Sequence, residues 1–485
     1  MTRFLPAQDF YSATSPIQLL PLRFERLGTG SYLVANMVGD FITLSGDEFE
    51  RLVELRLTTD DTLYEKAYTS HLITRAGQTA QLQLLALRLR SRLAFLREPS
   101  ALHLFVVTLR CEHSCPYCQV SRQSSDRDRF DMSEETAQRA LAISLESPPS
   151  RIKIEFQGGE PLLNFPLISK IVEAAKIDAP RVGKKVEFVI TSNLALLDDA
   201  VLAYCKANDI LLSTSLDGPA DLHNKNRPRP GQNSYELAVK GIKAAQQVLG
   251  KDRVGALMTT TERSLSRVEE IIDEYIALGL DGIFLRPLSP YGFAVKTKQI
   301  QKYDATRWLD FYVRGLRYIL DLNRKGVQFT EFYTALVLAR MLTDRPIGYV
   351  DLRSPAGIGL GALVYNYDGR VFASDEGRML AEMGDDTFVL GNVADASYRS
   401  LILSDKLIQL IAASLSQCAP ECHNCVYESH CGADPVYHHA TQHDPVGIKP
   451  VSGFCARQKG VMGTILDLLH NSPEDAAILR QWGTP

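Results

Sequence analysis

The sequence CEHSCPYC at residues 111–118 comes directly after the apolar run Leu102–Leu109, which has the length and composition of a buried β-strand. It places thiols at Cys111, Cys115 and Cys118, a Cys-x3-Cys-x2-Cys spacing. Thiolates are soft ligands suited to iron–sulfur clusters. Three closely spaced thiolates hold three irons of a four-iron cluster and leave the fourth iron open. The spacing therefore predicts a cluster that can bind a small molecule.

A zinc knuckle is the alternative interpretation of the same segment. Three cysteines without a fourth ligand make a poor closed tetrahedral zinc site, and His113, which lies between two of them, is the one nearby candidate.

Five further apolar runs follow the first, and amphipathic helical segments separate them. The runs are Ile152–Phe156, Val186–Ile190, Leu211–Leu216, Val254–Met258 and Ile283–Leu285. The helical segments are Glu134–Leu145 with Ser133 as its cap, Leu167–Ala175, Tyr235–Leu249 and Leu265–Leu278. This alternation predicts an α/β fold with a parallel sheet, open or partly closed as a barrel. Ligands of such folds bind at the carboxyl ends of the strands.

The two ends of the chain have a different pattern. Residues 1–95 begin with three short apolar runs separated by turns, which predict a three-stranded meander, and Ser45 with Glu48 forms a capping pattern for the helix that follows. Residues from about 346 onward are rich in Gly, Asp and Cys, which fits a part held by metal. The predicted domains are residues 1–95, 96–345 and 346–485.

Composition narrows the function classes. The 485 residues are 45% hydrophobic and 23% charged with a net charge of −4, and we expect no nucleic-acid partner because no basic footprint is present. No apolar run reaches about 18 residues, so we expect no membrane span, and the N-terminal residues lack the apolar core of a signal peptide. A cytoplasmic location is the expectation. The clustering of eight of the nine cysteines then points to metal rather than disulfides, and Cys205 alone reads as a buried apolar residue.

Polar residues follow several of the apolar runs. These are the segment Gln157-Gly158-Gly159-Glu160, then Ser192 and Asn193, then Ser215 and Asp217, and last Arg286. Glycines allow a close approach of backbone to a ligand, and a carboxylate pairs with an ammonium group.

In their order along the chain, these motifs resemble the radical S-adenosylmethionine (radical SAM) superfamily. The resemblance implies a partial (β/α)6 barrel with a [4Fe-4S] cluster on the three cysteines, whose open iron binds S-adenosylmethionine. An electron from an external donor such as flavodoxin or ferredoxin would cleave it to a 5′-deoxyadenosyl radical that abstracts hydrogen from the substrate. The implied cofactor-binding residues are Tyr117, Gly158, Gly159, Glu160, Ser192, Asn193, Ser215, Asp217 and Arg286.

A second set of cysteines lies near the C-terminus, at Cys422, Cys425, Cys431 and Cys455. It resembles part of the SPASM extension of radical SAM enzymes, which implies one auxiliary [4Fe-4S] cluster. Ser374 and Pro435 stand where the full SPASM pattern has cysteines, and Cys418 is left over. Zinc is the alternative, because Cys-x2-Cys is also a zinc spacing. The histidines near this set are His430, His438, His439 and His443.

The N-terminal part resembles the small α+β, winged-helix-like domains that recognise precursor peptides, and such domains add a peptide as a strand to a sheet edge. Residues 15–465 resemble the maturases of the His-Xaa-Ser peptide system. The resemblance implies modification of a ribosomally synthesised precursor peptide, with formation of a side-chain crosslink. The alternatives are a maturase of a folded protein such as a sulfatase-type enzyme, and a non-catalytic iron–sulfur sensor.

Overall fold

The computed structural model describes residues 16–28, 30–345 and 347–484. Residues 1–15 lie outside the described residues, and the expectation that no signal peptide is present concerns this segment. The strands are β1 (Ile17–Leu19), β2 (Leu22–Arg26), β3 (Tyr32–Asn36), β4 (Phe41–Leu44), β5 (Ile73–Arg75), β6 (Leu102–Thr108), β7 (Arg151–Gly158), β8 (Lys185–Thr191), β9 (Leu211–Ser215), β10 (Val254–Leu257), β11 (Gly282–Ile283), β12 (Thr330–Glu331), β13 (Ala362–Tyr365), β14 (Arg370–Phe372) and β15 (Val389–Asn392).

Helices connect most of these strands. They are α1 (Gly46–Val53), α2 (Thr62–Thr69), α3 (Ala80–Arg92), α4 (Arg127–Phe130), α5 (Glu134–Leu145), α6 (Phe165–Arg181), α7 (Asp199–Ala207), α8 (Ala220–Asn226), α9 (Ser234–Leu249), α10 (Val268–Ala277), α11 (Phe293–Lys296), α12 (Ala305–Arg324), α13 (Phe332–Leu342), α14 (Asp375–Ala381), α15 (Tyr398–Ile402), α16 (Asp405–Ala413), α17 (Pro435–Gln442), α18 (Gly453–Asn471) and α19 (Pro473–Gly483). Among the described residues, none of the helices combines the length and the apolar character needed to cross a membrane.

An eight-stranded sheet forms the centre of the molecule, in the order β10-β9-β8-β7-β6-β13-β14-β15. The five strands from β6 to β10 are parallel to one another, as the sequence predicts. Their side chains form the main core, where Phe105, Phe156 and Phe188 pack in a row with ring centroids 6.1 and 6.3 Å apart. Strand β6 is buried on both faces and is a nearly continuous apolar run, whereas β7 and β9 alternate buried and partly exposed residues.

The sixth predicted strand does not join this sheet. Only Gly282–Ile283 is extended, and it pairs in parallel with Thr330–Glu331 in a separate two-stranded sheet. The buried Glu331 side chain accepts a hydrogen bond from the backbone N–H of Leu285 at 3.1 Å, which takes a donor that a longer strand would use. A single backbone bond from Thr260 to the carbonyl of Arg286 (2.8 Å) links the end of the fifth unit to the sixth. The barrel is therefore partial, and looser at this edge than predicted.

The N-terminal meander is confirmed, with β2, β3 and β4 paired antiparallel in sequence order. The Ser45 hydroxyl accepts from the backbone N–H of Glu48 at 3.2 Å, and the Glu48 carboxylate accepts from the backbone N–H of Ser45 at 2.8 Å, which completes the capping box. A small separate core lies under the meander. The short antiparallel pair β1–β5 was not predicted, because three-residue strands carry almost no periodicity.

Helix α3 presents both arginine and leucine side chains to solvent. Arg90 is exposed and Arg88 is half-buried in ion pairs with Asp40 and Asp344, whereas Arg92 is buried. Several leucines of this helix, such as Leu82, are exposed.

The N-terminal part packs against the segment that carries the second cysteine set. Arg23 on β2 forms an ion pair with Glu428 at 3.0 Å, and its Nε donates to the carbonyl of His423 at 2.6 Å. Both side chains of this ion pair are at least 97% buried, since they are 3% and 1% exposed. The predicted first domain thus contacts residues 423–430 through a desolvated charge pair.

The C-terminal part is continuous with the barrel rather than set apart from it. Strand β13 pairs in parallel with β6, so the sheet passes through the predicted boundary between residues 345 and 346. Helix α18 packs on α12, and α19 packs on α13. A sizeable apolar core therefore supports this part, which differs from the expectation of a part held by metal.

The buried ion pair generates a stability prediction. Arg23→Ala leaves the Glu428 carboxylate buried without its cation, and we expect the free energy of unfolding to fall by about 3–5 kcal/mol. Urea titration followed by circular dichroism measures it. The matched control is Lys170→Ala, which removes an exposed ion pair with Glu134 and should change the free energy by less than about 1 kcal/mol. Equal effects of the two substitutions would contradict the importance of this contact.

Candidate functional site

A cavity of about 240 Å³ lies at the carboxyl ends of the parallel strands. Cys111, Cys115 and Cys118 all line it. Most residues that the sequence suggested for the cofactor also lie on its wall, namely Tyr117, Gly158, Gly159, Ser192, Asn193, Ser215 and Arg286. The structure thus brings together predicted residues that follow five of the six predicted strands. After the fifth strand no residue was predicted, but Thr259, which follows it, also lines the cavity.

The two glycines hold the second loop against the loop that carries the cysteines. A Cβ atom on Gly158 would lie 2.1 Å from the carbonyl oxygen of Thr108, and one on Gly159 would lie 2.3 Å from that of Arg110. Neither backbone atom can move aside as a flexible side chain would. Backbone bonds from Gly159 to Thr108 (2.9 Å) and from Glu160 to Arg110 (2.7 Å) close the contact. Any side chain here would push the cysteine loop away.

Glu160 is fully buried, and its side chain is not on the cavity wall. Its carboxylate accepts hydrogen bonds from the Ser192 hydroxyl (2.7 Å), the Asn193 backbone N–H (2.8 Å) and the Leu162 backbone N–H (3.0 Å). Burial and the neighbouring charge of Glu112 raise its pKa to about 7, against the effect of these donors. Through these bonds Glu160 positions the loop after β8, and its direct contact with a ligand ammonium stays a prediction.

Asp217 likewise lies behind the wall rather than on it. Its carboxylate accepts from the Tyr117 hydroxyl at 2.6 Å and from Arg227 at 3.1 and 3.2 Å. Burial raises its pKa, but the charge of Arg227 outweighs burial and holds the pKa below the usual range. The Arg227 guanidinium also lies 5.5 Å from the centre of the Tyr117 ring. The aromatic side chain is thus fixed at both its hydroxyl and its face.

A chain of hydrogen bonds links the cysteine loop to the loop after β9. His113 bonds Glu112 through Nδ1 (3.0 Å) and the Ser234 hydroxyl through Nε2 (2.7 Å). The same hydroxyl lies 3.0 Å from Nε2 of His223, whose Nδ1 accepts from the backbone N–H of Asp217 at 3.2 Å. Burial lowers the pKa of His223 to about 3 and keeps it neutral. His113 is therefore engaged on both ring nitrogens.

The loop that follows the sixth unit supports the last cysteine of the motif. The backbone N–H of Phe293 donates to the carbonyl of Cys118 at 2.8 Å, and the Thr297 hydroxyl donates to the carbonyl of Pro116 at 2.6 Å. Gly292 has a φ of 57°, and a Cβ there would lie 2.4 Å from the carbonyl oxygen of Gln119. A left-handed glycine is needed for this approach.

The three thiols line one cavity and are half-buried, which leaves them accessible to a metal cluster. Burial raises the pKa of Cys111, with added effects of Glu112 and Glu160. Burial also raises the pKa of Cys115 to about 12, although Arg227 opposes it. Such thiols ionise when they bind a cation, which releases protons. The residues present therefore fit an iron–sulfur cluster.

The second cysteine set also surrounds one cavity. Cys422, Cys425, Cys431 and Cys455 all line it, with Lys449 at its edge. Burial raises the pKa of each thiol, to about 11 for Cys422, where Lys449 works in the opposite direction. The thiols come from a tight turn, from the loop before α17 and from the first turn of α18. A single zinc ion would draw its four sulfurs to about 3.8 Å from one another. Among the described residues no three of these four sulfurs lie within 4.8 Å of one another, which suits a four-iron cluster better.

The histidines that favoured zinc have other partners. Nε2 of His430 lies 2.9 Å from the carbonyl of Gly39, and Nδ1 of His438 lies 2.6 Å from the carbonyl of Asp434. His439 bonds Asp385 at 2.7 Å. The described residues that line the cysteine cavity include none of the four histidines, His430, His438, His439 and His443.

The remaining residues singled out in the sequence lie elsewhere. Ser374 caps α14, where its hydroxyl accepts from the backbone N–H of Gly377 at 3.0 Å, and Pro435 begins α17. Cys418 is exposed, and Cys205 is buried in α7 as expected. Ser374 and Pro435 line the same small cavity, so the two positions without cysteine are neighbours in space.

Residues 105–275 match the sequence model of the Radical SAM superfamily. Among curated proteins, an uncharacterized protein of Methanocaldococcus jannaschii is 31% identical over 187 residues, which are 38% of this chain and 61% of that protein. The cysteine-type anaerobic sulfatase-maturating enzyme of Clostridium perfringens is 22% identical over 328 residues, 65% of this chain and 83% of that enzyme.

Solved structures share the fold. The structure of anSMEcpe with bound AdoMet matches with a TM-score of 0.62 at 16% identity, over 79% of this chain and 100% of that one. SuiB of Streptococcus suis bound to the precursor peptide SuiA matches with a TM-score of 0.54 at 15% identity, over 90% of this chain and 98% of that one. The chain thus carries a radical SAM domain over residues 105–275, is similar in sequence to a sulfatase-maturating enzyme, and shares the fold of anSMEcpe and SuiB.

Proposed function

We propose that this chain modifies a ribosomally synthesised precursor peptide by radical chemistry and forms a side-chain crosslink in it. One observation carries the proposal. The cysteine triad and the polar residues after the parallel strands meet at one cavity, and a second cavity adjoins it through Leu257 and Arg286. The first has the groups to hold a cluster and S-adenosylmethionine, and the second has room for a substrate side chain.

Cys111, Cys115 and Cys118 would hold the [4Fe-4S] cluster that the superfamily implies. The cluster and S-adenosylmethionine would together supply the radical chemistry that removes a hydrogen atom from the substrate. An external one-electron donor such as flavodoxin or ferredoxin belongs to this proposal.

The other cavity residues bind and orient S-adenosylmethionine. The backbone of Gly158 and Gly159 offers carbonyls at the wall, and Ser192 and Asn193 present polar groups from the next loop. Tyr117 offers the face of its ring. Glu160 and Asp217 position these groups through the hydrogen bonds described above and are not themselves in contact with the cavity.

The cavity between Cys422, Cys425, Cys431 and Cys455 would hold one auxiliary [4Fe-4S] cluster. Four thiolates leave no iron open, which favours electron transfer or a structural role. Gln458 lines both this cavity and the one that adjoins the cofactor cavity. This shared residue supports an auxiliary site that adjoins the space proposed for the substrate.

We assign peptide capture to residues 1–95, the catalytic barrel to residues 96–345 and the auxiliary site to residues 346–485. The meander carries an exposed aromatic face, on which the half-exposed Phe24 contacts Phe49 at 4.8 Å and Tyr32 stacks on Phe49 at 4.1 Å between ring centroids. Exposed aromatic groups beside a sheet edge suit an added peptide strand. The likeness to SuiB covers 90% of this chain, against 79% for anSMEcpe, and supports the peptide over a folded partner.

Maturation of a folded, sulfatase-type protein is the second candidate. The sulfatase-maturating relative favours it, because the match spans 83% of that enzyme. In that case the meander would play no part in substrate binding.

The first test concerns cofactor cleavage. Cys118→Ala removes a ligand of the proposed cluster, and we expect no release of 5′-deoxyadenosine from S-adenosylmethionine under anaerobic reduction. Chromatography of the products measures it. Cys205→Ala, which changes the buried thiol of α7, is the matched control and should retain cleavage. If the Cys118→Ala protein releases 5′-deoxyadenosine at the rate of the unchanged chain, the proposal is refuted. A non-catalytic sensor would release none, with or without the substitution.

The second test concerns peptide capture. Phe24→Glu should weaken binding of a short peptide encoded beside this chain's gene by about tenfold, since it places a charge on the aromatic face. Fluorescence anisotropy of the labelled peptide measures it. Leu82→Glu on α3 is the control, because Leu82 is 54% exposed and Phe24 is 50% exposed. Point substitution is preferable to deletion of residues 1–95, which would leave Glu428 without Arg23. Unchanged affinity of the Phe24→Glu protein would contradict capture on this face.

A further inference from the structure

A cavity of about 320 Å³ adjoins the cofactor cavity, and three carboxyl groups lie on its wall. We call it the acid pocket and define it by Asp351, Glu376 and Asp434. Asp434 also caps α17, where one oxygen accepts from the backbone N–H groups of Val436 (2.9 Å) and Tyr437 (3.1 Å). Among the described residues, no hydrogen bond or ion pair from another residue reaches the carboxylates of Asp351 and Glu376.

The carboxyl groups are only partly compensated by positive charge. Arg286 and Arg457 also line the cavity, which gives two cations for three acids. Burial and the charges of Asp434 and Glu376 raise the pKa of Asp351 well above its usual range. Burial, with Asp375 and Asp434, raises the pKa of Glu376 to about 7. A cation bound in the pocket would lower these pKa values and favour the ionised form of the two acids.

Two buried polar groups on the wall, the hydroxyl of Tyr291 and the indole N–H of Trp308, lack a partner among the described residues, and they differ in what they can bind. The Tyr291 hydroxyl can accept from a cation, whereas the Trp308 indole N–H only donates and suits an acceptor such as a peptide carbonyl. The two side chains are 1% and 2% exposed, and both line the acid pocket. Buried polar atoms of native proteins are nearly always paired, with protein groups or with bound molecules.

The rest of the wall is aromatic. Phe284 stacks on Tyr333 with ring centroids 5.3 Å apart, and Tyr349 meets Tyr333 edge to face at 5.7 Å. Arg457 makes a cation–π contact with Tyr437, with its guanidinium 5.0 Å from the ring centre. Aromatic faces combined with carboxylates are the surroundings that bind organic cations.

The pocket lies where a substrate group would be attacked. It shares Leu257 and Arg286 with the cofactor cavity and Gln458 with the auxiliary cysteine cavity. Its three carboxyl groups also face the small cavity lined by Ser374 and Pro435. The space next to the two positions that lack cysteines is thus lined with acids.

We propose that the acid pocket binds a cationic side chain of the peptide substrate and holds it beside the cofactor cavity. This inference rests on the proposed function, because it names the chemical class of the group that the enzyme takes. Asp351 and Glu376 provide the countercharge, while the aromatic rings cover the apolar part of the side chain.

Binding of small peptide probes to the reconstituted holoenzyme with S-adenosylmethionine tests the proposal by calorimetry. The probes are acetylated tripeptide amides with a central lysine or arginine, and the neutral counterparts carry norleucine or citrulline. The cationic probes should bind at least about tenfold more tightly than the neutral probes. Asp351→Asn and Glu376→Gln should each lower the affinity for the cationic probes by about tenfold. Arg457→Gln, which removes a competing cation, should tighten binding. Glu269→Gln on the exposed side of α10 is the control and should bind as the unchanged chain does.

Equal binding of charged and neutral probes, or preference for a probe with a central glutamate, would overturn the proposal. A variant that loses iron is excluded as misfolded. Among the variants that keep iron, Asp351→Asn should weaken binding of the cationic probes and Arg457→Gln should strengthen it, and the opposite result would overturn the proposal. If the unchanged chain releases no 5′-deoxyadenosine but still prefers the cationic probes, the proposed function is refuted and the pocket assignment stands. Intact release without cation preference would refute the pocket alone.

Discussion

The contact between the loops after β6 and β7 is the constraint on which the rest of the site depends. The carbonyls of Thr108 and Arg110 accept bonds from the backbone N–H groups of Gly159 and Glu160, at distances that leave no space for a Cβ atom on either glycine. Through this contact the cysteine loop is held over the ends of the parallel strands. Glu160 then extends the same support to the loop after β8, so one buried carboxylate aligns successive walls of the cavity.

Charged groups make the main contacts outside the loops after β6 and β7. The buried pair of Arg23 and Glu428 joins the N-terminal meander to the segment with the second cysteine set, so the proposed substrate capture and the proposed auxiliary site would be mechanically connected. Between the two cysteine sites the wall changes from thiols to carboxyls and aromatic rings. A cation-binding pocket in this position would link the loss of cysteine at Ser374 and Pro435 to the choice of substrate.

Local patterns predicted much of the fold. The first five strands, the helix capped by Ser133 and the capping box at Ser45 follow from periodicity and short-range hydrogen bonds, which sequence displays directly. Contacts between distant segments were missed. Arg227 lies in a loop without periodicity, and its pairing with Asp217 depends on the folded chain. The buried Glu331 that limits the sixth strand, and the hydrogen bonds of the Glu160 carboxylate to the loop after β8, likewise become visible only once the strands are assembled.

The central claim is that the chain holds two iron–sulfur clusters, one at each cysteine cavity. Iron and zinc content after anaerobic reconstitution tests it most directly, in the unchanged chain, in the triple Ala variant of Cys111, Cys115 and Cys118, and in the Cys422→Ala/Cys425→Ala variant. We predict about eight irons per chain in the first and about four in each of the others, without stoichiometric zinc. One zinc and no iron in the triple variant would contradict the auxiliary cluster, and full iron content in that variant would contradict the catalytic one.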